Sequence, residues 1–271
     1  VEPNGLAAAK ENPMFSQSDA YERFMGRWSR RLAPLLVKFA PVDPGDVVLD
    51  VGCGTGALTF AVAAIPSVQV TGVDPSAAYV EYAKAHSHSR RVRFEVGDAQ
   101  ALPRADSVFD KTLSMLVLNF LPDPADAVRE MIRVTRSGGV VAATVWDYGD
   151  GMEMLRAFWD EAVALAPDAA SLDEGHMPLA GHGELTALLH SQELADVEER
   201  PLRIDMTFAS FDDYWQPFLS GQGPAGAYAA SLSESDRRAL HVRLRDRLVS
   251  GGPDRGFTLA ARAWAARGTV T

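Results

Sequence analysis

"DVGCGTGALT", Asp50–Thr59, places three glycines within five positions, directly after the apolar run "VVLD". Glycines at this spacing let a backbone approach a ligand closely, and "GCGTGA" satisfies the pattern G-x-G-x-x-G/A of dinucleotide-binding turns. That pattern alone does not choose a ligand. Asp50 ends the strand-like run two residues before Gly52. A carboxylate there repels a pyrophosphate and favours a cation. The stretch therefore predicts a strand–loop–helix unit that holds a ligand carrying a positive charge rather than a pyrophosphate.

The flanking sequence repeats the unit. "VVLDV" (47–51), "VQVTGVD" (68–74), "VRFEVGD" (92–98), the run within "VFDKTLSMLVL" (108–118) and "VVAATVWD" (140–147) read as strands. Helical patterns separate them: "GALTFAVAAI", "PSAAYVEYAKAH" (75–86, with Pro75 in the first turn) and "DPADAVREMIRVT" (123–135, closed by Gly138 and Gly139). Alternation of this kind predicts a parallel sheet covered on both faces. A helix with an apolar face of Tyr21, Met25, Trp28, Leu32, Leu35 and Phe39 precedes it. After residue 148 the rhythm breaks into helices near 151–166, 183–191, 211–219 and 233–249, with strands at 194–208 and 256–267. The second half reads as a continuation of the sheet with inserted helices.

Asp74 ends the second strand, twenty residues after Gly54. Its carboxylate is placed for both hydroxyls of a ribose. Asp98 ends the third strand, placed for an adenine amino group. Three successive strands ending in Asp at one sheet edge mark the ligand side, because ligands bind outside the carboxyl ends of such strands.

The motifs "VLDVGCGTG", "VTGVDPS", "VGDAQALP", "FDKTLSMLVLNFLPDP" and "EMIRVTRSGGVVAATVW" together resemble those of class I S-adenosylmethionine-dependent methyltransferases. The nearest likeness is to the small-molecule branch typified by the ubiquinone/menaquinone-biosynthesis enzymes. The resemblance covers about residues 45–147. It implies an α/β, Rossmann-like, doubly wound seven-stranded sheet of order 3-2-1-4-5-7-6, with strand 7 antiparallel and helical cap elements. It implies S-adenosyl-L-methionine as cofactor and S-adenosyl-L-homocysteine as product. Gly52, Cys53, Gly54 and Gly56 would contact the methionine part, with Asp50 nearby. Asp74 would hold the ribose. Pro75 and Ser76 would flank the adenine, with Asp98 and Ala99 beside it. Ser114, Met115 and Leu116 would floor the site.

Methyl transfer from a sulfonium needs alignment above all, and a general base only where the acceptor must lose a proton. Asp147, at the end of the fifth strand, and His182, in the irregular stretch after 166, are the candidate bases. Tyr21, Trp28 and Trp215 are the candidate substrate contacts, within an expected roof formed by residues 17–40, 148–180 and 209–254. Residues 1–16 are expected to form a mobile tail, and 17–271 a single methyltransferase domain. Cys53 is the only cysteine, which excludes an intrachain disulfide and a cysteine metal cluster and suits a cytoplasmic setting; no metal site is expected.

The expected partner is a small-molecule acceptor. Net charge is −10, which disfavours a polyanionic partner such as nucleic acid. No apolar run approaches the ~20 residues of a membrane span. Two rival activities remain at this level. A nicotinamide-dependent oxidoreductase is disfavoured by Asp50 and by the lack of a Tyr-x-x-x-Lys pair. A nucleic-acid methyltransferase is disfavoured because "LNFLPDP" stands where an Asn/Asp-Pro-Pro-aromatic motif would. A binding protein without turnover is the non-enzymatic rival.

Overall fold

The computed structural model describes residues 18–250 and 255–271. The expected tail, 1–16, lies outside them. Seven strands form one sheet: β1 (Val47–Val51), β2 (Gln69–Asp74), β3 (Val92–Val96), β4 (Phe109–Met115), β5 (Thr135–Trp146), β6 (Ala195–Phe208) and β7 (Phe257–Thr269). Their order is β3-β2-β1-β4-β5-β7-β6. β1 pairs in parallel with β2 and β4, and β7 runs antiparallel between β5 and β6. The sheet matches the expected order and orientation.

The central strand is made by its composition. Val48, Leu49, Asp50 and Val51 are all buried, as a strand covered on both faces requires. Asp50 is the exception to the apolar rule, and it lies opposite Gly72 of β2 and Leu113 of β4. Helices α1 (Arg27–Phe39), α2 (Ala57–Ala63), α3 (Ala77–Ala85), α4 (Pro124–Val134), α5 (Glu153–Leu165) and α6 (Glu184–Ser191) follow in chain order. α7 (Phe211–Trp215), α8 (Gly223–Ser231) and α9 (Glu234–Val249) lie between β6 and β7. A π-helical turn, Glu22–Gly26, precedes α1. Gly26 gives room for it, since a Cβ there would lie 2.5 Å from Glu22 Oε1.

Three local expectations are corrected. Pro75 is not in the first turn of α3: Ser76 caps that helix, accepting the Tyr79 amide at 3.4 Å, and Pro75 stands before the cap. Gly138 and Gly139 do not close α4. The chain passes from helix to strand at Thr135, whose hydroxyl donates to Met131 O at 2.6 Å, and both glycines lie inside β5. α8 was not expected. Its sequence, "GPAGAYAAS", consists mostly of small residues and lacks the apolar/polar alternation by which a helix is read.

Candidate active site

The glycine loop after β1 is tied to β2 by three bonds. Gly52 N and Cys53 N both donate to Val73 O, at 2.7 and 3.0 Å. Gly54 N donates to Asp74 Oδ2 at 2.9 Å. Gly52 has φ +75°, and a Cβ there would clash with the Val117 side chain. Gly54 has φ +52° with open space on its Cβ side. The backbone is thus bare where it faces the cavity.

That cavity is about 320 Å³ and opens at the carboxyl ends of β1, β2 and β4. Asp50, Gly52, Cys53, Gly54, Asp74, Met115, Leu116 and Tyr21 all line it. Ser114 lies beneath, fully buried, its hydroxyl donating to Val51 O at 3.0 Å. The remaining wall comes from residues that sequence reasoning missed, among them Ser29, Thr55, Tyr79, Val117, Phe120 and Gly223. Tyr79 and Phe120 sit close to recognised motifs. Ser29 and Gly223 come from distant elements, and no local pattern marks them.

Several other expected contacts do not line this cavity. Gly56 backs onto Phe60 and Phe94. Pro75 and Asp98 are exposed, Ser76 is the α3 cap, and Ala99 is buried in the core. Asp98 accepts the Gln100 amide at 2.9 Å.

The two candidate substrate tryptophans lie outside the lining of this cavity. Trp28 is 1 % exposed and packs edge-on against Phe208, with Arg27 stacked 4.3 Å from its ring centre. Trp215 packs against Phe218 and His241. Both are core residues, because the apolar face of α1 docks onto β6 and the helices after it.

The candidate bases also lie outside this cavity. Asp147 and His182 lie in a separate cleft of about 400 Å³. Asp147 Oδ2 accepts from Arg262 Nε at 2.7 Å, so its charge is already matched. His182 is exposed and packs on Trp264, with Nε2 3.4 Å from Glu199. A larger cleft, about 820 Å³, runs along the first helix beside Asp212–Ser220 and is lined by charged side chains, some of them in ion pairs, such as Arg27 with Asp213.

Burial sets the electrostatics of the 320 Å³ cavity. Desolvation pushes the Asp50 carboxyl up to about 7, against a hydrogen bond from Thr59 Oγ1 at 2.6 Å that favours its charge. Asp74 is raised by burial too, opposed by the amides of Ser76 and Gly54. Burial pushes the Cys53 thiol up, so it is no thiolate nucleophile. Among the described residues, buried Asp50 Oδ1 has no hydrogen-bond partner. An unsatisfied carboxylate oxygen beside a bare glycine backbone suits an ammonium group, and the apolar floor of Met115 and Leu116 suits a methyl-bearing sulfur. The residues fit S-adenosylmethionine.

Comparison with known proteins agrees. Residues 49–143 match the family model described as a methyltransferase domain. The 2-methyl-6-phytyl-1,4-hydroquinone methyltransferase of Synechocystis is 30 % identical over 67 % of this chain and 57 % of its own length. The chain belongs to the class I S-adenosylmethionine-dependent methyltransferases. An uncharacterized protein of Mycobacterium tuberculosis is 29 % identical to this methyltransferase, over 78 % of the chain and 79 % of the relative. In fold, the methyltransferase resembles phosphoethanolamine N-methyltransferase 2 of Haemonchus contortus, solved with S-adenosyl-L-methionine, with a TM-score of 0.56, 18 % identity, and coverage of 100 % of this chain and 62 % of the other. Among the described residues no helix of this methyltransferase is long and apolar enough to cross a membrane.

Proposed function

We propose that this methyltransferase methylates a small-molecule acceptor by in-line displacement, within a single domain whose cofactor-binding core is 45–147. The observation that carries this reading is the enclosure of the Asp50 cavity. Tyr21, Phe120 and Gly223 border it from three different elements, and its volume of about 320 Å³ is in the range of small-molecule sites. The acidic net charge supports the exclusion of nucleic acid. The hydroquinone methyltransferase among the relatives supports a small apolar acceptor.

S-adenosylmethionine supplies an activated methyl on a positively charged sulfur. The chain's task is placement. Asp50 Oδ1 would take the ammonium, and the Gly52–Gly54 backbone would lie along the methionine part. Asp74 keeps lone pairs free for the ribose hydroxyls after accepting two amides. Tyr79, beside Asp74, would close the ribose side. Pro75, Ser76, Asp98 and Ala99 would border the adenine. Met115 and Leu116 would seat the sulfur and exclude water. Alignment of this kind supplies much of the rate in a displacement with so good a leaving group.

Calorimetry with S-adenosylhomocysteine and with NADH tests the reading. One S-adenosylhomocysteine per chain and no NADH is the expected result. NADH binding alone would return the chain to the oxidoreductase reading.

A further inference from the structure

A buried polar cluster adjoins the wall of the cavity and takes no part in cofactor placement. Glu174 lies on a short 3-10 turn, Glu174–His176, and is 7 % exposed. Its Oε2 accepts from Trp159 Nε1 at 2.9 Å. Its Oε1 lies 3.9 Å from where a Cβ on Gly223 would be, and Gly223 lines the cavity. Tyr148 is 4 % exposed, with Glu174, Tyr21 and Asn119 as its polar neighbours. Asn119 follows β4, between the cavity residues Val117 and Phe120. It is 4 % exposed, and among the described residues neither amide atom has a partner in good hydrogen-bond geometry.

Buried amides are almost always satisfied, so an amide without a well-placed partner has capacity left for a ligand. The polar groups that meet here are a carboxyl oxygen, a phenol close enough to that amide to bond with it, and the amide itself, which both donates and accepts. The charged groups facing Glu174 are Arg156 of α5 and its own neighbour Asp173. Arg156 is held by Asp173 in a two-bond pair, one bond at 2.9 Å. Its charge is shared with Asp173 and only partly offsets the burial of Glu174. Burial holds the Glu174 carboxyl up at about 7, a value suited to exchanging a proton near neutrality.

We propose that Glu174 is the proton acceptor of the transfer, and that the methyl acceptor is an uncharged hydroxyl compound whose oxygen lies among Glu174, Tyr148 and Asn119. This rests on the small-molecule reading above. A lone pair of the hydroxyl oxygen forms the new O–C bond to the methyl. The C–S bond breaks, and its electron pair stays on sulfur as a neutral thioether. The hydroxyl proton passes to Glu174, which returns it to solvent after product leaves. A hydroxyl needs such a base, because its neutral oxygen is a weak nucleophile. A neutral amine attacks without one, and an ammonium would hold Glu174 ionised.

The test uses the full chain saturated with S-adenosylhomocysteine, with phenol, which is uncharged near neutrality, and cyclohexylamine as probes. Calorimetry in two buffers of different ionisation enthalpy reads both affinity and protons exchanged. The expected result is phenol binding whose proton exchange changes sign or size across pH 7 in the wild type and loses that dependence in Glu174→Gln, with affinity falling roughly 10-fold. Glutamine retains an oxygen for Trp159, and an unchanged S-adenosylhomocysteine affinity shows that the variant is folded. Absence of phenol binding, preference for the amine, or a Glu174→Gln variant with wild-type phenol affinity and proton exchange overturns the proposal. Failure of the wild type to bind S-adenosylhomocysteine overturns the function reading instead.

Discussion

Asp74 Oδ2 accepts the Gly54 amide at 2.9 Å, joining the end of β2 to the glycine loop after β1. The other oxygen, Oδ1, accepts the Ser76 amide at 2.8 Å. A strand-end carboxylate thus shapes both loops of the site before any ligand arrives. Asp74→Ala leaves two amides without their acceptor as well as removing a ribose contact. It is expected to weaken S-adenosylhomocysteine by more than ~10-fold and to lower stability by about 1–3 kcal/mol. Calorimetry and urea unfolding check the two effects. A variant of wild-type stability would show that the amide bonds add nothing.

Asp50 makes cofactor affinity depend on pH. Its carboxyl is raised from 3.8 to about 7, chiefly by burial. In the free protein, the native state keeps a proton between those values that the unfolded chain releases. Stability therefore falls as pH rises from the ordinary carboxylate range through about 7, by a few kcal/mol at most. An ammonium beside Asp50 favours the ionised form, so binding releases a proton below pH 7. S-adenosylhomocysteine affinity is expected to weaken as pH drops from 7.5 to 6, by up to about tenfold per unit. Asp50→Asn should flatten that profile and raise the melting temperature at pH 8. A profile unaltered in Asp50→Asn would assign the dependence to another group.

Trp28 is structural. Trp28→Ala is expected to cost about 3–5 kcal/mol, the penalty for emptying a large buried aromatic site. Chemical denaturation reads this directly. A loss below ~1 kcal/mol would mean that α1 repacks and that Trp28 is free for another role.

Asp147 is expected to be dispensable for cofactor binding. Its carboxylate is paired with Arg262, in a cleft separate from the Asp50 cavity. Asp147→Asn should cost on the order of 1 kcal/mol of stability and leave S-adenosylhomocysteine affinity within ~2-fold. A tenfold weaker complex in a folded variant would tie the two clefts together.

The first strand and its loop were legible in the sequence because their physics is local. A run of five residues, apolar except for Asp50, makes a central strand, and Gly52 has no substitute where φ is positive and Val117 stands in the way of a Cβ. The alternation of strands and helices then set the class of the sheet. Asp50, Gly54 and Asp74 were readable as one site because each ends or follows a strand, and parallel strands deliver their ends to one edge.

The roof was not legible. Trp28 and Asp147 carry residue types that fit a substrate contact or a base, and only packing decided otherwise. Trp28 turns into the seam with Phe208, and Asp147 meets Arg262 from 115 residues further along the chain. Gly223 reaches the Asp50 cavity, with Glu174 behind it, from elements with no distinguishing local pattern. Local sequence determines strand, loop and helix, because backbone preference and apolar periodicity act over a few residues. Which side chains face one another across the cavity depends on contacts between distant segments, and these exist only once the sheet has brought those segments together.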